Sequence, residues 1–178
     1  MKTTQILIAG FGGQGVLFAG KFLAYKGLVQ DKQVSWLPSY GPEMRGGTAN
    51  CSVIISDTPV GSPLITNPDV LVAMNLPSLQ KFVYTVVPGG KIFIDSTLID
   101  AKVERTDVEV FYIPATAMAK ENGIATLANM ILVGHLLENN KELDFAGAKE
   151  TVEHLVPPKK AALIELNMKA LNLGKEYK

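Results

Sequence analysis

Two glycine-rich loops carry the chemistry this chain could perform. The first, Gly10-Phe11-Gly12-Gly13-Gln14-Gly15, has the GxGxxG spacing. That spacing joins a tight turn to the free amides at a helix start, an arrangement suited to an anion. The second is Ser39-Tyr40-Gly41-Pro42-Glu43-Met44-Arg45-Gly46-Gly47-Thr48-Ala49-Asn50-Cys51, which sets one fixed cation and one carboxylate among glycines. Such a loop gives up side-chain packing in return for exposed backbone amides and unusual dihedrals. Arg45 offers a planar fork suited to carboxylate or phosphate, with Glu43 placed to hold it, and Gly46-Gly47 let a ligand or a neighbouring chain approach the backbone. The bland alternative is a surface turn with an incidental ion pair; the density of glycine around Glu43 and Arg45 argues against it.

The first loop does not complete a dinucleotide site. Such sites add an Asp or Glu at the end of the second strand, about twenty residues on, to bind ribose hydroxyls. Here that place reads Ser35-Trp36-Leu37-Pro38. Two readings stay open beside it: glycines that only permit close helix-to-strand approach, and a loop that receives a phosphate or a partner's backbone. Other reactive side chains carry structural explanations. His135 lies among Met130, Ile131, Leu132, Val133, Leu136 and Leu137, which predicts a buried, hydrogen-bonded imidazole rather than a base. His154 falls near a helix end, where a cation meets the dipole favourably. Cys51 is expected to pack as a small apolar group, and Asp95 and Asn75, at strand ends, read equally as ligand groups and as caps.

The elements that must position these loops follow from periodicity. The apolar run 5–9 ended by Gly10 predicts a strand buried on both faces, and from about residue 14 the spacing turns helical, with Val16, Leu17, Ala19, Gly20, Leu23, Ala24 and Leu28 as the stripe and Lys21 and Lys26 as exceptions. Further strands are expected at 33–37, 48–56, 69–74, 91–95 and 108–113, with 60–65 returning as an antiparallel partner of 48–56. Helices are expected at about 77–86, 115–121, 125–138, 145–155 and 159–173, and the tail 174–178 is the expected frayed end. This order predicts an α/β fold: an open, mostly parallel Rossmann-like sheet with helices on both faces and an inserted antiparallel hairpin.

Composition narrows the function. The 178 residues are 47% hydrophobic with 17 basic and 17 acidic side chains, the profile of one globular domain over 1–178, and nothing in the charge draws it to nucleic acid. One cysteine allows no internal disulfide and, without a cysteine cluster, no iron-sulfur centre or structural zinc held by this chain alone. The apolar runs fall short of a membrane span and the start lacks signal-peptide regions, so a cytoplasmic protein away from membranes is expected.

Taken together, residues 8–16 and 39–51 closely resemble the gamma subunit of 2-oxoacid:ferredoxin oxidoreductases, and the likeness extends to Gly61-Ser62-Pro63, Asn67-Pro68-Asp69, Pro88-Gly89-Gly90 and the helical end. The resemblance implies a heterotetrameric complex that decarboxylates a 2-oxoacid oxidatively with coenzyme A and reduces ferredoxin. It implies alpha, beta and delta (ferredoxin-like) partners, with thiamine diphosphate, Mg2+, [4Fe-4S] clusters and coenzyme A held on those partners or at interfaces. In that frame this chain has no catalytic or metal-binding side chain and no activity alone. Gly12, Gly13, Gln14, Gly15 and Arg45 are the expected coenzyme A or partner contacts, and Tyr40, Gly41, Pro42, Glu43, Met44, Arg45, Gly46 and Gly47 the expected interface. The Glu-Met-Arg-Gly-Gly followed by Thr-Ala-Asn-Cys leans to the 2-oxoglutarate and branched-chain types. A free-standing dinucleotide-dependent oxidoreductase and an assembly module binding coenzyme A or nucleotide remain the alternatives.

Overall fold

The computed structural model describes residues 2–39 and 48–178. A six-stranded sheet forms its middle, built from β1 (Thr3–Phe11), β2 (Gln33–Ser39), β3 (Thr48–Ser56), β4 (Val70–Ala73), β5 (Lys91–Asp95) and β6 (Glu109–Ile113), in the spatial order β2-β3-β1-β4-β5-β6. β1, β4, β5 and β6 run parallel, while β3 is antiparallel to both of its neighbours, β1 and β2. The α/β class with a mostly parallel sheet is therefore as the element order predicts.

The hairpin differs from expectation in its partner. β3 pairs with β2 along one edge and β1 along the other, from Thr3 opposite Ser56 to Phe11 opposite Thr48. With both edges of β3 occupied, residues 60–65 have no ladder to join, and Pro59 and Pro63 deny them donors. That segment instead crosses beside Thr3, Gln5, Ile54 and Ser56 as irregular chain. β2 accordingly lies parallel to β1 but one strand removed from it.

Alternation along the strands divides the core between the two faces. Ile6, Ile8, Val53, Val70, Val72 and Phe93 point to one side, against α1 (Val16–Val29), α3 (Ala115–Glu121), α4 (Ala128–Asn139), α5 (Ala148–Leu155) and α6 (Ala162–Glu176). Leu7, Leu71, Ala73, Ile92 and Ile94 point to the other, against Leu79 and Val83 of α2 (Leu76–Phe82) and its following turn, and Ile99. α2 stops four residues short of the expected 86. There Thr85 folds its hydroxyl back on the Phe82 carbonyl at 2.7 Å, and the Arg105 guanidinium takes the Val83 and Val86 carbonyls at 2.8 Å each.

The C-terminal end is helical where fraying is expected. α6 continues through Glu176 because Gly174 sits directly against α4, where a Cβ would lie 1.9 Å from the Ile131 carbonyl oxygen. Gly134 of α4 meets the Leu171 carbonyl in the same way at 2.1 Å, so two glycines let the helix backbones touch. His135 closes this seam: its Nδ1 donates to the Gly174 carbonyl at 3.1 Å, and its ring stands edge-on to Phe93, Phe111 and Tyr177. Lys26, an exception on the α1 stripe, is fully buried; its ammonium donates to Gln30 at 3.1 Å and faces Asp144 at 3.5 Å.

Candidate functional site

The parallel strands all end on one edge of the sheet, where open α/β sheets place ligands. Phe11, Ala73, Asp95 and Ile113 are the last residues there. Thr48 lies opposite Phe11, and Ser39 lies opposite Asn50, which in turn faces Ala9. The anchors of both glycine loops are thus neighbours on that edge, although Ser39 lies 28 positions after Phe11 in sequence. Tyr40, Gly41, Pro42, Glu43, Met44, Arg45, Gly46 and Gly47 themselves lie outside the described residues.

Within the first loop, Gly12, Gly13 and Gln14 make the turn and Gly15 is the N-cap of α1, with a left-handed φ of 75° and no side chain capping the helix. No acidic residue occupies the first turn. The helix start therefore keeps the uncapped amides and positive dipole end suited to an anion. Gly13 also has positive φ, 94°, and a Cβ built there would meet nothing within 4 Å among the described residues. Gly15 is different: a Cβ would strike the Asn129 carboxamide at 2.5 Å, because Asn129 at the start of α4 donates its Nδ2 to the Gly15 carbonyl at 3.0 Å. Asn129 is buried and its Oδ1 has no partner among the described residues. The sequence does not mark it, since an Asn inside an apolar helical run gives no sign of a partner 114 positions away.

Gln14 occupies the crevice between the ends of β1 and β4, where the chain's crossovers diverge to opposite sides of the sheet. Its Oε1 accepts from the Phe11 amide at 2.6 Å and its Nε2 donates to the Met74 carbonyl at 3.0 Å. Gly10 is required beneath it, since a Cβ there would come 2.6 Å from that Oε1 and 2.9 Å from the Met74 Cβ.

The dinucleotide reading loses a second support. β3, not β2, is the strand beside β1, so the end of β2 is displaced from where a ribose acceptor would stand. Trp36 turns into the core beside α1, its indole nitrogen 3.0 Å from where a Gly20 Cβ would be. The remaining candidates serve structure. Cys51 is fully buried, donates to the Val16 carbonyl at 3.5 Å, and burial pushes its thiol up to about 12, so it holds no thiolate near neutrality. Asp95 is buried and accepts from the Thr97 amide at 3.1 Å, the Thr116 amide at 3.3 Å and the Thr116 hydroxyl at 2.5 Å, tying β5 to the start of α3. Asn75 caps α2 by accepting from the Ser78 amide at 2.8 Å. His154 stacks on Tyr25 with centroids 3.9 Å apart. Among the described residues there is no group of His, Cys, Asp and Glu that could hold a metal ion, and no helix is long and apolar enough to cross a membrane.

Comparison with known proteins matches this arrangement. The chain is 36% identical over 179 residues to the 2-oxoglutarate synthase subunit KorC of Methanothermobacter thermautotrophicus, covering 97% of this chain and 93% of that one. It is 40% identical to the ketoisovalerate oxidoreductase subunit VorA of the same organism, over 97% of this chain, but it spans only 36% of that relative's length. The gamma subunit of a keto/oxoacid ferredoxin oxidoreductase from Geobacter sulfurreducens superposes with a TM-score of 0.82 at 30% identity, covering 97% of this chain and 96% of that one. A 2-oxoglutarate:ferredoxin oxidoreductase from Magnetococcus marinus, solved with 2-oxoglutarate, coenzyme A and succinyl-CoA bound, superposes with a TM-score of 0.87 at 25% identity, over 98% of this chain and 31% of that one. The family model of pyruvate ferredoxin/flavodoxin oxidoreductases matches residues 5–177. A chain with both glycine loops anchored on one sheet edge, and aligned to these proteins almost from end to end, belongs to the pyruvate ferredoxin/flavodoxin oxidoreductase family.

Proposed function

We propose that this chain is the gamma subunit, one domain over 1–178, of a 2-oxoacid:ferredoxin oxidoreductase that acts on 2-oxoglutarate or a branched-chain 2-oxoacid. The observation that carries this reading is the match along nearly the whole length of both KorC and the Geobacter gamma subunit. Thiamine diphosphate, Mg2+ and [4Fe-4S] clusters belong in this reading to alpha, beta and delta partners, with ferredoxin as acceptor and the complex in the cytoplasm. A single cysteine, buried and un-ionised, supports assigning the clusters elsewhere.

The chain's own part is contact. The loop Gly12, Gly13, Gln14 and Gly15 leads into the uncapped amides at the start of α1, and the space that the described residues leave open at Gly13 lets another molecule's backbone or phosphate come close. Arg45 supplies the fixed cation from the second loop, with Tyr40, Gly41, Pro42, Glu43, Met44, Gly46 and Gly47 as the rest of the surface. The anionic partner favoured for these groups is coenzyme A, whose phosphates suit both a helix start and a guanidinium. No side chain here is assigned to the bond-making steps.

Co-expression with candidate alpha, beta and delta chains tests this directly. The expected result is a complex that reduces a viologen dye in the presence of a 2-oxoacid and coenzyme A, and loses that activity when this chain is omitted. A purified chain that oxidised a substrate by itself with a nicotinamide cofactor would overturn the proposal. A substrate panel on the complex separates 2-oxoglutarate from branched-chain 2-oxoacids.

A further inference from the structure

We propose that Gln14 is a positioning residue, one that sets the glycine loop in its receiving geometry without itself touching coenzyme A. The inference rests on the reading of that loop as a coenzyme A contact.

The β1–β4 ladder ends early. Ala9 pairs with Ala73, and the Met74 amide still donates to the Ala9 carbonyl at 2.9 Å, but β4 then turns away into α2. Two backbone groups are left at the mouth of the crevice, the Phe11 amide and the Met74 carbonyl. The Gln14 carboxamide serves both at once, accepting from Phe11 at 2.6 Å and donating to Met74 at 3.0 Å. A carboxamide has the donor and acceptor of a peptide group, so it adds one more rung to the ladder in place of a strand residue. The Gln14 amide also donates back to the Phe11 carbonyl at 3.2 Å, closing the turn.

This has two consequences for the loop. The crevice, where open sheets commonly admit a nucleotide, is filled by the chain itself, so a ligand meets the loop from outside rather than between the strands. The turn over Gly12 and Gly13 is tied at its start by the Phe11 amide to the Gln14 side chain, and at its end through Gln14 to the Met74 carbonyl after β4 and through the Gly15 carbonyl to Asn129 of α4. A loop held this way meets its ligand already ordered, which lowers the entropy cost of binding. Gln14 forms these bonds with its own chain, and the amides beyond it remain for the ligand.

The test uses the assembled complex, with coenzyme A varied at saturating 2-oxoacid and viologen. Gln14→Met keeps the length of the side chain and removes both hydrogen bonds; Gln14→Glu keeps the acceptor and removes the donor to Met74. The expected result for both is a rise of about tenfold in KM for coenzyme A, the scale of one net hydrogen bond, with kcat changed less than about twofold. Several outcomes would overturn the inference: an unchanged KM in both variants, a loss of kcat with KM unmoved, or failure of both variants to assemble, which would make the residue structural only. A rise confined to Gln14→Glu would also overturn it, since that reports a carboxylate repelling the ligand. Full coenzyme A-dependent activity in a wild-type complex lacking this chain would instead defeat the functional reading itself, whatever the variants did.

Discussion

Gly134 and Gly174 in one region, and Gly13 in another, give up their side chains to opposite effect. Gly134 and Gly174 remove side chains so that α4 and α6 can touch, and the space is taken by carbonyl oxygens of the facing helix at 2.1 Å and 1.9 Å from the would-be Cβ positions. Gly13, on the strand-end edge, removes a side chain and nothing among the described residues takes its place within 4 Å; Gly15, two residues on, is pressed against Asn129. Glycine therefore opens space that the chain itself fills in one region and that the described residues leave open in the other. In the helix seam the contact is already made within the chain. At Gly13 the described residues make no such contact, and the proposed coenzyme A contact would fill the space.

Substitutions should separate the two regions cleanly, and the largest effect belongs to the seam. Gly174→Ala drives a methyl into the Ile131 carbonyl and should cost about 3 kcal/mol, read as a lowered denaturation midpoint with unchanged slope. Asp95→Ala leaves the Thr97 amide and the Thr116 amide and hydroxyl without their acceptor, for a loss of about 2 kcal/mol in the same measurement. Gly13→Ala should cost only about 1 kcal/mol, from its φ of 94°, since no atom of the described residues is in the way. Its effect on coenzyme A-dependent activity of the complex should exceed its effect on stability. If Gly13→Ala instead destabilised the chain as much as Gly174→Ala, the contrast between the regions would fail.

The smallest expected effect is a pH dependence at the seam. Burial holds the His135 imidazole below its ordinary value of 6.5, with the Gly174 carbonyl and Glu138 opposing in part. The unfolded chain then binds this proton more readily than the folded one. The contribution to stability is fully present above about pH 6.5 and is lost as pH falls from there toward the depressed folded value. Thermal melts should show a shallow decline below pH 6.5 that His135→Gln flattens; a decline unchanged by the substitution would assign it to other groups.

Much of this was legible in the sequence where the signal was local. The run Ile6-Leu7-Ile8-Ala9 ending at Gly10 gives β1 its place, and the helical spacing from Val16 gives α1. The pairing of β3 was not legible, because alternation in 48–56 says which face each residue takes and not which strand lies beside it. Proline at 59 and 63 pointed away from a strand at 60–65, but the deciding fact is that β2 had already filled that edge. The tail 174–178 read as fraying because its polar residues carry no apolar period; Gly174 and Tyr177 are held by partners near Ile131 and His135, about forty residues back. At the site, Gln14 was legible as a loop residue, but its role as a rung between Phe11 and Met74 depends on where β4 ends. Lys26 stood out as a cation on an apolar stripe, yet Asp144, which faces it, comes from the far side of the chain.

In the proposed function the two glycine loops together receive coenzyme A on behalf of a larger enzyme. Arg45→Ala in the assembled complex tests it most directly, with coenzyme A varied in the dye-reduction assay. Loss of a charge-assisted hydrogen bond should raise KM for coenzyme A between about tenfold and a hundredfold while the complex stays intact. An intact complex whose coenzyme A dependence matched the wild type would contradict it.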